Sequence, residues 1–186
     1  MKKLIFSLCI LSGLAALPGA QENPGLKPIL NHYAARNFTA GSIGRADLDL
    51  IVQAGVRAPS ANNRQPWHFT VVQNTDLAKR IIPNVTEGNA LIVVSAAGDG
   101  GTNVRQILDC ALATESIYLA AQALGYGSRI YTGPIDALNR SLKPDLGLPS
   151  GYSAVALVRV GRVQAPADAV SAASSRNAAN SMVTYK

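Results

Sequence analysis

The sequence predicts a mixed α/β or α+β sandwich, one sheet flanked by helices. Helix-like and strand-like patterns alternate in the order α-α-β-α-β-α-β-α-β. Within that order, Ala90 to Ala97 is a continuous apolar run suited to a central strand buried on both faces. Asn103 to Leu124 is the longest helical pattern and is apolar nearly all round. The chain has 186 residues, 48% hydrophobic and 15% charged, so it has the length of one domain and the material for a full core.

The N-terminus reads as an address. Lys2 and Lys3 precede an apolar stretch, Leu4 to Leu17, and small residues end at Pro18-Gly19-Ala20. That is the pattern of a secretory signal peptide over residues 1–20. The expected destination is the periplasm, with a membrane anchor through an uncleaved segment as the alternative. Residues 21–25 read as a linker and 26–186 as the domain. After cleavage Cys110 is the one remaining cysteine, expected as a small core residue rather than half of a disulfide. No CxxC or HxxxH occurs, so no metal site is expected. The net charge of +6 is scattered, which argues against nucleic acid as a partner.

Leu26 to Arg36 carries apolar residues at i, i+3, i+4 and i+7 (Leu26, Ile29, Leu30, Tyr33) and reads as a helix. Thr39 to Gly44 is turn-rich. Arg45 to Val56 is a second helix, stopped by Pro59. Trp67 to Gln73 alternates as a strand. Asp76 to Ile82 is a short helix with an acidic start. The long helix is expected to be covered on both sides, by the sheet and by a second chain. Gly125-Tyr126-Gly127 caps it. Ser128 to Thr132 is a strand, Pro134 to Leu142 a helix with Pro near its start, and Tyr152 to Val160 the last strand. Beyond Val163 the chain is small, polar and aperiodic, a tail that cannot fold alone.

Two apparent motifs carry little. Gly98-Asp99-Gly100-Gly101-Thr102-Asn103 follows a strand and precedes a helix, but Asn103 stands where a dinucleotide fingerprint needs its third glycine. A strand-to-helix turn is the better reading. Ser60 lacks the Gly-x-Ser-x-Gly elbow of a hydrolase, and His68 alternates with Trp67 and Phe69 in a strand as a structural residue does.

The richest stretch is Arg57 to Phe69, Arg-Ala-Pro-Ser-Ala-Asn-Asn-Arg-Gln-Pro-Trp-His-Phe, with the only Trp and four hydroxyl or amide side chains. An ordinary connecting turn has similar composition. Yet the amides of Asn62, Asn63 and Gln65 each donate and accept, which suits the edge of a flat heteroaromatic ring. Arg36 and Arg176 could supply charge to a phosphate, which arginine grips bidentately, or to an electron-rich ring edge. The residues alone reach an anion-tailed heteroaromatic ligand.

Pro59-Ser60-Ala61-Asn62-Asn63-Arg64-Gln65-Pro66-Trp67-His68-Phe69 resembles the PSxxNxQPWxF signature of the nitroreductase family. Ala35-Arg36-Asn37-Phe38, Leu119 to Gly127, Tyr131-Thr132-Gly133, and Ser175-Arg176 with Val183-Thr184-Tyr185 resemble its other segments in the same order. The resemblance implies an α+β nitroreductase-like fold with a mixed central sheet flanked by helices and a domain-swapped C-terminal tail. It implies a homodimer with two FMN sites between subunits, NAD(P)H or another reduced donor, and nitroaromatic or quinone-type acceptors. The alternatives are an exported flavin-binding protein without reductase turnover, or a flavin enzyme with another redox substrate. On this mapping His32, Tyr33, Ala34 and Arg36 form the first cofactor segment, with Arg36 at the pyrimidine edge. Pro59, Ser60, Ala61 and Asn63 reach the flavin of the partner chain. Thr132 and Gly133 sit at N5, and Arg176 holds the phosphate. No general acid or base is implied. The chain departs from the family at His32 and Ala34, where many members carry Arg-x-Ser, and at Ser174, where a basic residue is common. Charge-assisted hydrogen bonds contribute about 1.5–3 kcal/mol each, so the departures imply a looser hold on the phosphate. The short stretch between Ala97 and Asn103 implies a small lid and an open site.

Overall fold

The apolar run Ala90–Ala97 forms the strand on which the other elements are laid, with seven of its eight residues buried. The computed structural model describes residues 23–98, 103–164, 177 and 181–186. The elements are α1 (Lys27–Leu30), β1 (Phe38–Thr39), α2 (Arg45–Val56), β2 (Trp67–Val72), α3 (Thr75–Ile81), β3 (Ala90–Ala97), α4 (Val104–Ala123), β4 (Gly127–Tyr131), α5 (Ile135–Ser141) and β5 (Tyr152–Val163). This is the α+β class. Every described strand pairing is antiparallel, so the expected mixed sheet is not found among the described residues. The cause is an insertion. β3 and β4 run parallel, joined across α4, but β5 lies between them: Val158 pairs with Ile92 on one side and Ile130 on the other.

Helices cover both faces. Leu91, Val93 and Leu157 face Ile81 of α3 and Leu138 of α5. Ile92, Val94 and Val158 face Ile51 of α2 and Ile117 of α4. Each fully buried aliphatic side chain contributes roughly 1.5–3 kcal/mol by leaving water. In α2 the buried residues Leu48, Ile51 and Gly55 recur at helical spacing. Gly55 is a packing requirement, because a Cβ there would sit 2.8 Å from the Ile117 side chain. Asn74 caps α3 by accepting from Leu77 N–H at 2.9 Å.

Three expectations change. The first helix ends at Leu30 rather than Arg36, because the backbone of Tyr33 and Ala35 is bonded elsewhere, to Gln122 and Ser128. A two-residue strand, Phe38–Thr39, extends the sheet along Val163 and Arg162 where none was expected. The last strand runs to Val163, three residues further than read. The long helix buries one side only in the single chain. Cys110, Ala113, Ile117 and Ala121 are buried, while Val104, Leu108 and Leu112 stand 66%, 58% and 46% exposed. Cys110 is a core residue, as expected, and burial with the neighbouring Asp109 carboxylate pushes its thiol up to about 11. The signal-peptide reading of residues 1–20 and most of the C-terminal tail lie outside the described residues. Among the described residues no helix is long and apolar enough to cross a membrane.

Candidate functional site

The loop between α2 and β2 keeps its amides in water. Ala61, Asn62, Asn63, Arg64 and Gln65 are all exposed. Ala61–Asn63 makes a single 3-10 turn, entered from an extended Ser60. Asn62, Asn63 and Gln65 take φ of 54°, 53° and 48°, and no other described non-glycine residue has positive φ. That conformation costs about 1–2 kcal/mol per L-residue, least for Asn. Local bonds hold it. Gln65 N–H donates to Ser60 Oγ at 3.0 Å, and Gln65 Nε2 donates to Asn63 Oδ1 at 3.1 Å. One bond comes from outside the loop: Ala61 N–H donates to Asp109 Oδ1 of α4 at 2.9 Å. Asp109 is 5% exposed. Strain of this kind in an exposed loop, fixed by a buried carboxylate, is a mark of preorganisation.

The segment His32–Arg36 lies at the other end of α4. Gln122 grips the peptide of Tyr33 from both sides: Tyr33 N–H donates to its Oε1 at 3.1 Å, and its Nε2 donates to Tyr33 O at 2.9 Å. The same Nε2 reaches Ser128 Oγ at 2.8 Å, and that hydroxyl donates to Tyr118 O at 2.8 Å. Ala35 N–H joins the start of β4 through Ser128 O at 2.9 Å. His32 Nδ1 lies 2.7 Å from Ile29 O, a carbonyl that can only accept, so Nδ1 carries the proton and Nε2 faces away. The His32 ring also stands edge-on to Tyr118 at 5.7 Å. Ala34 is exposed and brings no donor beyond its backbone. Arg36 is exposed and makes no hydrogen bond or ion pair among the described residues.

Thr132 and Gly133 follow β4 and are exposed. Thr132 O accepts from Ile135 N–H at 3.1 Å, which closes the turn into α5. A Cβ added at Gly133 would meet nothing within 4 Å, so the backbone there is open to a ligand.

The single chain therefore assembles the expected residues in groups. His32, Tyr33, Ala34 and Arg36 share one segment. Pro59, Ser60, Ala61 and Asn63 share another. Thr132 and Gly133 stand at the far end of β4. Arg176 lies outside the described residues. Asp109 and Gln122, the anchors of the first two groups, are thirteen positions apart in one helix. That is about 20 Å along the axis, with side chains about 140° apart around it. The two segments are thus anchored at well-separated points of one helix.

Sequence reasoning missed both anchors. Asp109 left a trace, a charge inside the apolar run Ile107 to Ala113, since an unpaired carboxylate is costly to bury. Gln122 left none. The described parts of the other motifs take local structural roles. Gly98 takes φ 92°, and Asn103 caps α4 by accepting from Arg105 and Gln106 N–H, which explains an Asn there; residues 99–102 are outside the described set. Ser60 Oγ is tied to its own loop, and the His68 ring packs against Tyr152 at 6.2 Å.

Residues 29–98 and 83–162 match the model of the Nitroreductase family. A protein of Archaeoglobus fulgidus, named as a candidate NADH dehydrogenase/NAD(P)H nitroreductase, is 34% identical over 146 residues, 73% of this chain and 83% of its own. Among solved structures, a nitroreductase of Desulfovibrio desulfuricans in complex with FMN superposes with a TM-score of 0.73 at 25% identity, covering 89% of this chain and 98% of that one. A nitroreductase of Desulfitobacterium hafniense with bound FMN has the same fold, with a TM-score of 0.73 at 23% identity over 88% of this chain and 98% of that one. The signature loop, the strand order and the family match agree, and the chain belongs to the nitroreductase family of oxidoreductases.

Proposed function

We infer that this protein is an FMN-dependent NAD(P)H oxidoreductase that works as a homodimer. The observation that carries the reading is the loop Ser60–Gln65. It bears the family signature, and its left-handed residues, held by Asp109, keep amide and hydroxyl groups in the exposed position that a flat ring requires. The FMN in the Desulfovibrio desulfuricans relative supports the choice of cofactor. Bound between the two segments, the flavin would supply two-electron chemistry, from NAD(P)H or another reduced donor to a nitroaromatic or quinone-type acceptor.

The residues present fit the ring end of that cofactor. Arg36 offers an exposed guanidinium, Asn63 and Ser60 offer polar groups, and the open backbone at Gly133 lets a ring edge approach. They fit the phosphate end less fully. His32 has committed one ring nitrogen to Ile29 O, and Ala34 has no side-chain donor. Arg176 is the remaining candidate for the phosphate. The protein's own work in this reading is to bind and orient.

The spacing of the two anchors along α4 supports the homodimer in this reading. Two copies could bring the loop of one to the first segment of the other, and the exposed stripe Val104, Leu108 and Leu112 offers an apolar surface for that contact. Export through the N-terminal segment to the periplasm is part of the same reading.

A visible spectrum of the purified chain tests the cofactor. A yellow protein releasing FMN is expected, bleached by NADH or NADPH and restored by a quinone. A colourless chain that takes up no added FMN overturns the reading, while uptake without bleaching favours a flavin-binding protein without turnover. Arg176→Ala is expected to weaken uptake. Light scattering reads the dimer, and the N-terminal sequence of the exported chain reads cleavage.

A further inference from the structure

We propose that Asp109 and Gln122 are positioning residues, each fixing the backbone of one half of the cofactor site from a shared helix. The inference rests on the flavin reading above. Neither side chain needs to touch the cofactor. Asp109 accepts from the Ala61 N–H inside the signature loop, 2.9 Å away and nearly out of water. A charged acceptor in a low-dielectric setting makes this bond stronger than a neutral one. Among the described residues it is the one hydrogen bond between the loop Ser60–Gln65 and the rest of the chain, in a loop whose backbone pays for three left-handed residues. Gln122 does the corresponding work at the other end, where its amide matches both polar groups of the Tyr33 peptide as a neighbouring strand would. That grip replaces helical bonding in residues 31–36 and sets the direction in which Ala34 and Arg36 leave the body of the protein.

α4 is thus a rigid spacer between two half-sites. In a dimer, each cofactor would be held by the Gln122-fixed segment of one chain and the Asp109-fixed loop of the other. This arrangement makes a prediction that local packing does not. Damage to the two anchors on different chains should spare one site of the two.

Hydrogen exchange on FMN-free protein is the first test. Asp109→Ala is expected to speed exchange at the Ala61 amide by about tenfold or more and leave Tyr33 unchanged, with the reverse for Gln122→Ala. Each change is expected to weaken FMN binding about tenfold, while Asp109→Asn, which keeps an acceptor oxygen, stays within about threefold of the parent. If Asp109→Ala does not fold, Asp109→Ser, polar but too short to reach Ala61, takes its place. The second test co-expresses Asp109→Ala and Gln122→Ala chains with different tags and isolates the mixed dimer. Half of its sites are expected to bind FMN with the parent affinity. Unchanged exchange at both amides, or FMN affinity unmoved by either change, overturns the positioning roles. A mixed dimer with no tight site overturns the assignment of the two halves to opposite chains. A parent chain that binds no FMN, with exchange altered as expected, instead overturns the flavin reading.

Discussion

The guanidinium of Arg159 lies 4.0 Å above the ring of Phe38, and it does so with Arg159 only 3% exposed. Its hydrogen-bond partners include the neutral groups Asn89 Oδ1 at 2.9 Å, Thr86 Oγ1 at 2.9 Å and Asn84 O at 3.4 Å. Burial draws its pKa below the ordinary arginine value. The cation joins the loop Asn84–Asn89 to β1, which directly follows the first cofactor segment. Arg159→Ala is expected to cost about 3 kcal/mol, from lost charged hydrogen bonds and a desolvated cation–π contact. Denaturant titration reads the loss; a change under 1 kcal/mol would mean that water replaces the guanidinium.

On the family resemblance of the first segment, His32 is expected at a position where many members carry an arginine. His32→Arg is expected to tighten FMN binding about tenfold, the effect of one added charge-assisted bond near 1.5 kcal/mol. Titration by flavin fluorescence measures it. The gain should be absent for riboflavin, which lacks the phosphate, and equal gains for both ligands would misplace the phosphate end.

Gln65 holds φ 48° and pins Asn63. Gln65→Gly removes a left-handed cost of about 1–2 kcal/mol and adds back chain entropy of about 0.5–1 kcal/mol, so stability should rise by about 0.5 kcal/mol. FMN affinity should fall, because Asn63 is then released. A loss of stability would show that the side chain, rather than the backbone, governs the loop.

Gly127 sits where β4, β5 and the first segment meet. A Cβ there would collide with Val163 Cγ1 and lie 2.9 Å from Ala35 Cβ. Gly127→Ala is expected to destabilise by about 1–3 kcal/mol through overpacking. Thermal melting reads the stability, and a weaker FMN affinity should accompany it, since Ala35 must move.

The Cys110 thiol, raised from 9.0 to about 11, links stability to alkaline pH. The unfolded thiol loses its proton first, so the unfolded state binds fewer protons through that window and stability falls as pH rises from 9 to 11. The full effect is about 2–3 kcal/mol and is fully present as stability below pH 9. Cys110→Ala should lose less stability than the parent between pH 8.5 and 10.5 by about 2 kcal/mol. Identical slopes in urea titrations would contradict the burial argument.

Periodicity and turn chemistry made most elements legible. Ala90–Ala97 and Arg45–Val56 have the boundaries their patterns imply, because burial alone selects them. The stretch after Leu30 misled for a physical reason. Tyr33 keeps helical spacing with Ile29 and Leu30, yet Gln122, 89 positions away, supplies bonds that a helix would otherwise make. The sheet's antiparallel order was hidden for a similar reason, since the strand that separates β3 from β4 arrives last among the described strands. The candidate loop was visible through its signature, while its support was not. Asp109 acts on a peptide N–H, and no side-chain pattern encodes which peptide that is.

The helix between Asp109 and Gln122 also limits how such a chain can change length. One inserted residue within it would turn everything beyond by about 100° and lengthen it by about 1.5 Å. Gln122 would then miss the Tyr33 peptide, even with every cofactor-facing residue intact. Surface connections carry no such gauge. Size variation among relatives should therefore collect there and spare the interior of α4, a pattern that comparison of lengths alone can reveal.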